Sequence, residues 1–397
     1  MRILQLVSDW KWTGPAEPML VLTRALRSRG HLVDLVCPEP PADAGRSLWS
    51  EARARGVEPR ASIEAGRSAL RPGDRDEVRL LRKVIVDAVG EAGVGPAYDF
   101  VHCWHSRDHV LAARALGRVG LGLDRVEGTA LVRTLSPADR VPRWPWNRWL
   151  LGPACDGLLC TSRASLRANE GLRGGRPIEA VEGAVEAERL EATRDAASVR
   201  AELGVSVETP LVGVVARIQS HRRFDLLLAA MQRVVRERPD ARLVLIGRGT
   251  HVDAVARDPA RRLGLDEAVI LAGYRVDDYG ALLRALDVFC FLVPGSDGGC
   301  RALLEAATLG LPLVGSRRGA IPEIVRDGRT GLVVDEDPER LAEAWLELIS
   351  HEPRRRAIGE AAARDARARF APGRLAEDTE RFYAEVCAAS CTPTSSR

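Results

Sequence analysis

A chain of 397 residues, 46% hydrophobic and 28% charged, exceeds the size at which one core usually stops growing, so two domains are expected. A net charge of +3, spread along the whole chain, gives no footprint for nucleic acid, and no run of about 18 apolar residues is present to span a bilayer. Eight cysteines lack metal-ligand spacing and read as buried thiols, and with only Lys11 and Lys83 nearly all positive charge is Arg, as a GC-rich bacterial genome would produce.

The opening MRILQLVSDW has too short an apolar segment before Asp9 for a secretory signal and reads as a first strand, which predicts a cytoplasmic protein. A helix from about Ala16 to Arg29 follows, with Gly14 before it and Pro15 in its first turn. HLVDLVC is the next strand, and residues 38 to about 76 form a polar stretch with Pro and Gly. DFVHCW, ALVRT and GLLCTS continue the series, separated by helical patterns. Glu191 to Thr209 is charged, lacks a strand pattern and reads as the join. A second series follows: LVGVVA, ARLVLIG, AVILAG, DVFCFLV, LPLVG and TGLVVD. The alternation predicts an α/β chain with two doubly wound, Rossmann-like parallel sheets. The expected domains are 1–190 and 191–371, with a C-terminal helix and frayed tail over 372–397 that is a candidate to cross back to the first domain. A cleft between two such domains is the default place for a ligand.

The segment SDGGCRALLEAATLGLP, residues 296–312, follows an apolar strand and turns on Gly298 and Gly299 into a helix with Leu303, Leu304, Ala307 and Leu309 inward. A carboxylate stands at each end of this strand-to-helix corner, Asp297 and Glu305. Corners at the carboxyl ends of parallel strands are where such folds bind ligands. Read alone, Asp297 is also a helix cap and Glu305 a solvated helix face.

In order along the chain, GPAEPMLVLTRALRSRGHLVDLV, VEGAVEAERLEA, ARIQSHRRFDLLLAA, the acid pair with seven residues between, and GAIPEIVRDGRTGLVV together resemble the retaining GT-B glycosyltransferases of family 4. The resemblance covers nearly the full length and implies two facing domains, the first on the acceptor side and the second binding a nucleotide sugar. Arg217 and Arg222 match the family's two phosphate-binding cations. Glu305 would accept hydrogen bonds from ribose hydroxyls and Asp297 from sugar hydroxyls, about 12 Å apart if the whole span is helical. Charge growing on the leaving diphosphate would be stabilised by Arg217 and Arg222 as transfer passes through a short-lived ion pair. No metal and no cofactor is then required, the nucleotide sugar being a co-substrate.

The candidate donor contacts are Gly14, Arg217, Arg222, Gly247, Tyr274, Asp297, Gly298, Gly299, Cys300 and Glu305; the catalytic candidates are Arg217, Arg222, Asp297, Glu305 and His105. Where the family often has a second His, this chain has Trp104 with His105 beside it, while His102 reads as strand core. The first acid is Asp rather than the usual Glu, the family's Gly three positions later is Cys300, and Arg301 replaces a usual apolar residue. These departures suggest a subfamily with its own sugar geometry. They also feed the alternative, a catalytically silent GT-B protein binding a nucleotide or a protein partner. The expected acceptor is a hydroxyl of a glycolipid, saccharide or small molecule, with no nucleic-acid partner. DRVPRWPWNRWLLG, with three Trp and three Arg, is a candidate for peripheral contact with the inner membrane and equally a helix start with Trp149 and Leu150 inward.

Overall fold

The computed structural model describes residues 1–12, 14–66, 74–87, 98–119, 122–135, 141–172, 174–295 and 299–391. Within them the chain forms two compact units: residues up to 184 together with the C-terminal helix Pro372–Cys391, and the described residues of 185–371.

In the first unit the strands are β1 Arg2–Leu6, β2 Leu32–Val36, β3 Pro59–Ala61, β4 Phe100–Cys103, β5 Ala130–Leu135, β6 Gly157–Cys160 and β7 Ile178–Ala180. They pair in parallel in the order β3-β2-β1-β4-β5-β6-β7. The order reverses between β1 and β4, the switch point at which open sheets of this kind leave a crevice. Central strands such as β4 are buried along their whole length because helices cover both faces. One of these is Pro372–Cys391, whose Phe382, Tyr383 and Val386 are buried in the same cluster as Ile3 and Phe100. Gly157 on β6 admits that helix: a Cβ there would lie 2.5 Å from Val386 Cγ2 and 2.7 Å from Phe382 Cζ.

The second unit contains β8 Leu211–Val215, β9 Arg242–Ile246, β10 Val269–Gly273, β11 Val288–Phe291, β12 Leu313–Ser316 and β13 Gly331–Val334. Their order is β10-β9-β8-β11-β12-β13, again parallel, with the reversal between β8 and β11. Two apolar clusters, around Leu228 and Trp345 on one side and around Phe289 and Leu303 on the other, fill the faces of this sheet.

Several elements fall where the sequence pattern carries no assignment, among them the helices Leu48–Ala54 and Ala196–Glu202 and the edge strands β3 and β7. Each is seven residues or fewer and is buried on one side only, so no period repeats long enough to read. Ser47 and Asp195 cap the two helices through their side chains, the local signal that was present. Pro15 stands at the N-cap of helix Ala16–Ser28 rather than inside its first turn, because Gly14 before it turns through a left-handed φ of 61°.

Candidate functional site

The carboxyl end of β11 organises the second unit's site. Arg222, in a 3-10 turn after β8, reaches across to the neighbouring strand and donates Nη1 to the carbonyls of Val293 and Pro294, at 2.9 and 2.6 Å. Its guanidinium is therefore anchored at the corner leading to helix Arg301–Thr308. Arg217, two residues beyond β8, is exposed and makes no ion pair among the described residues. Of the sequence candidates at the corner, Asp297 and Gly298 lie outside the described residues. Gly299 has open space around it, and a Cβ there would meet nothing within 4 Å.

The helix begins only at Arg301, since Cys300 at its N-cap is left-handed with φ 50°. The fully helical span expected from Asp297 to Glu305 is thus corrected: Gly299 and Cys300 precede the helix, which supplies the span only from Arg301 onward. The solvated-face reading of Glu305 is also overturned, since Glu305 is 3% exposed and lies among Leu303, Leu304, Ala306 and Ala307. Its Oε2 accepts the Tyr279 hydroxyl at 2.7 Å, while Arg301 Nε and Arg189 Nη1 stand 3.5 and 3.9 Å from Oε1. Burial, and then the Glu305 charge, holds the Tyr279 phenol well above its usual range, so it stays protonated and donates. Burial lowers the Arg189 guanidinium from its ordinary value, with Glu305 opposing that shift.

Tyr279 and Arg189 escaped sequence reasoning because each meets Glu305 only through the fold. Arg301 carried a readable signal, its i,i+4 spacing from Glu305.

Gly247 and Gly249 have a backbone reason: a Cβ on either would sit 2.0 Å from the carbonyl oxygen of Ala216 or Ile218. They let the loop after β9 lie against the segment carrying Arg217, tied by hydrogen bonds from Ala216 N to Ile246 O and Ile218 N to Arg248 O, both 3.0 Å. Tyr274 is 51% exposed, its ring 4.6 Å from the Arg248 guanidinium carbon. That leaves an aromatic surface on the same side of the sheet's carboxyl edge.

In the first unit, Gly14 and His105 follow β1 and β4, the strands that flank the switch point. The His105 side chain is 25% exposed, with Nδ1 3.4 Å from Asp108 Oδ2. Asp108 is fully buried and accepts from the backbone N–H groups of Trp104 and His105 at 3.1 and 2.7 Å, fixing the turn that carries His105. Burial pushes the Asp108 carboxyl up, but His105 and Arg133 outweigh it and leave the group below its ordinary value. His102 is core, as expected, joined to Tyr383 at 2.8 Å and Thr134 at 2.6 Å. Leu150 is buried and Trp149 partly so, whereas Trp144 and Trp146 are 71% and 40% exposed.

Comparison with known proteins places this arrangement. Residues 19–189 match the family described as Glycosyltransferase Family 4, and residues 209–351 match Glycosyl transferases group 1. The chain belongs to the GT-B glycosyltransferases of group 1 and family 4. It is 30% identical over 224 residues to a GDP-mannose-dependent monoacylated alpha-(1-6)-phosphatidylinositol monomannoside mannosyltransferase of Corynebacterium glutamicum, covering 53% of this chain and 57% of that one. It is 26% identical over 200 residues to the N-acetyl-alpha-D-glucosaminyl L-malate synthase of Bacillus anthracis, covering 50% and 51%. The chain spans about half the length of the curated relatives it matches. Among solved structures it resembles Anabaena HepE in complex with UDP and glucose, with a TM-score of 0.74 at 18% identity over 97% of this chain and 99% of that one. A glycosyltransferase from Rickettsia africae gives 0.79 at 15% identity, over 97% and 98%. These likenesses show the GT-B fold.

Arg223 and Cys300 are the non-glycine residues with positive φ among those described, a conformation that favours glycine. Among the described residues, no group of three or more His, Cys, Asp and Glu side chains is placed to hold a metal ion, and no helix is long and apolar enough to cross a membrane.

Proposed function

We propose that this protein is a retaining glycosyltransferase that moves a sugar from a nucleotide-sugar donor to a hydroxyl of a glycolipid, saccharide or small-molecule acceptor, without a metal ion. The observation that carries the reading is that Arg222 is anchored on the carbonyls of Val293 and Pro294, in the segment after β11 that leads to the helix bearing Glu305. A guanidinium anchored by two carbonyls is already oriented for a diphosphate. One turn further on, a buried carboxylate suits ribose hydroxyls.

In the proposed mechanism Arg222 and Arg217 bind the diphosphate and stabilise the charge that appears on it as the glycosidic bond breaks. The departing phosphate oxygen takes the proton of the acceptor hydroxyl. Asp297 holds the sugar, Tyr274 offers a face for the base, and the first unit, with Gly14 and His105 at its strand ends, holds the acceptor. The acceptors named for relatives, a phosphatidylinositol mannoside and L-malate, are hydroxyl compounds that carry an acidic group. They support an acidic hydroxyl acceptor here.

A thermal-shift screen of UDP- and GDP-sugars, followed by transfer and hydrolysis assays on those that stabilise the protein, tests the reading. Turnover with retained anomeric configuration is expected. Donor binding with no turnover across a broad acceptor panel would establish the silent binder instead.

A further inference from the structure

Glu305 commits only one of its two oxygens. Oε2 is held by the Tyr279 hydroxyl, whereas Oε1 accepts no hydrogen bond among the described residues, although the side chain is 96% buried. The arginines on the Oε1 side, at 3.5 and 3.9 Å, lie beyond ordinary hydrogen-bond length and act there as counter-charges. A carboxylate oxygen with no hydrogen bond of its own is open to a donor, and a hydroxyl brought to it forms a charge-assisted bond.

We propose that Tyr279 is a positioning residue: by occupying Oε2 it keeps Glu305 from closing onto Arg301 and Arg189 and leaves Oε1 for a ribose hydroxyl, so that the site selects ribonucleotides over 2′-deoxyribonucleotides. This rests on the donor reading above. Tyr279 lies just beyond the turn after β10, on helix Tyr279–Arg284, and reaches Glu305 across 26 residues of sequence. Without its hydroxyl the carboxylate is free to rotate and chelate the two guanidinium groups. The ribose contact is then lost, while the diphosphate contacts at Arg222 and Arg217 remain.

Calorimetry on the full chain with UDP, GDP, their 2′-deoxy counterparts and pyrophosphate tests this. The unaltered protein is expected to bind UDP or GDP at least about tenfold more tightly than the matching deoxy form. In Tyr279→Phe the ratio should fall to about two, with affinity for the deoxy form and for pyrophosphate unchanged. A variant that keeps the original ratio overturns the assignment of Tyr279 while leaving the donor site standing. Failure of the unaltered protein to bind either ribonucleotide overturns both. Should Tyr279→Phe fold poorly, Tyr279→Leu, which also removes the hydroxyl, gives the same reading, and persistence of the original ratio there overturns the assignment of Tyr279.

Discussion

Arg223 and Cys300 share one backbone conformation and one position: each is left-handed, with φ of 61° and 50°, and each is the N-cap of the helix that follows its strand-end turn. A left-handed conformation costs an L-residue roughly 1–2 kcal/mol.

At Cys300 the usual ranking of small residues should therefore invert. Cys300→Gly is expected to be more stable than Cys300→Ala by about 1 kcal/mol, because both lose the thiol and only Ala keeps the steric penalty. Equilibrium denaturation of the two variants checks it. Alanine equal to or above glycine would mean that the turn relaxes out of the left-handed region.

Arg222 and Arg217 differ in how they are held, and conservative substitution should separate them. Alanine at either position is expected to raise the transfer barrier by about 2–4 kcal/mol. Lysine at 222 should cost nearly as much, since a single ammonium does not reproduce a guanidinium whose Nη1 is held by two carbonyls while the rest of the fork binds the proposed phosphate. Lysine at the exposed 217 should cost less. Turnover at saturating donor is the measurement, and equal losses for the two lysine variants would contradict the distinction.

In the proposed mechanism arginine supplies the positive charge, so transfer should persist in excess EDTA and decline with salt as the diphosphate contacts are screened. Activity abolished by EDTA and restored by magnesium would defeat this mechanism.

Burial, with the nearby Arg133 charge adding to it, holds His102 and His109 down to about 3. A histidine depressed below its unfolded value near 6.5 stabilises the fold fully above that pH and progressively less as pH falls toward 3, because the unfolded chain takes up the proton first. The first unit should lose about 1.4 kcal/mol per pH unit for each of these two histidines below pH 6.5. Denaturant melts between pH 7 and pH 5 should show this slope, and His109→Phe should reduce it. A profile flat over that window would show that neither group is buried neutral.

Gly157 should resist enlargement. Alanine there pushes into Val386 and Phe382 and is expected to destabilise the docking of helix Pro372–Cys391 by about 1–3 kcal/mol. Hydrogen exchange in that helix should rise, and unchanged protection would show that the helix shifts without loss.

The sequence by itself determined the two strand series, because a buried parallel strand reads as a short, mostly apolar run; β8 and β11 are wholly apolar, and β1 and β4 are each interrupted inside by a single polar residue, Gln5 and His102. Arg217 and Arg222 come only from the family resemblance, whereas the corner carrying Glu305 is readable as a strand end followed by a helix. The apolar pattern did not reach the short edge strands β3 and β7, which offer three residues and one covered face apiece. Only the tertiary structure decided that Glu305 faces inward, since a lone acid on an apolar helix carries no period of its own. What sits opposite it is settled by the packing of helix Tyr279–Arg284 and the Arg189 turn against helix Arg301–Thr308. Likewise, nothing local marks Cys300 as left-handed. That conformation is seen only in the folded chain, at the N-cap of helix Arg301–Thr308, where the left-handed turn is kept with a side chain present.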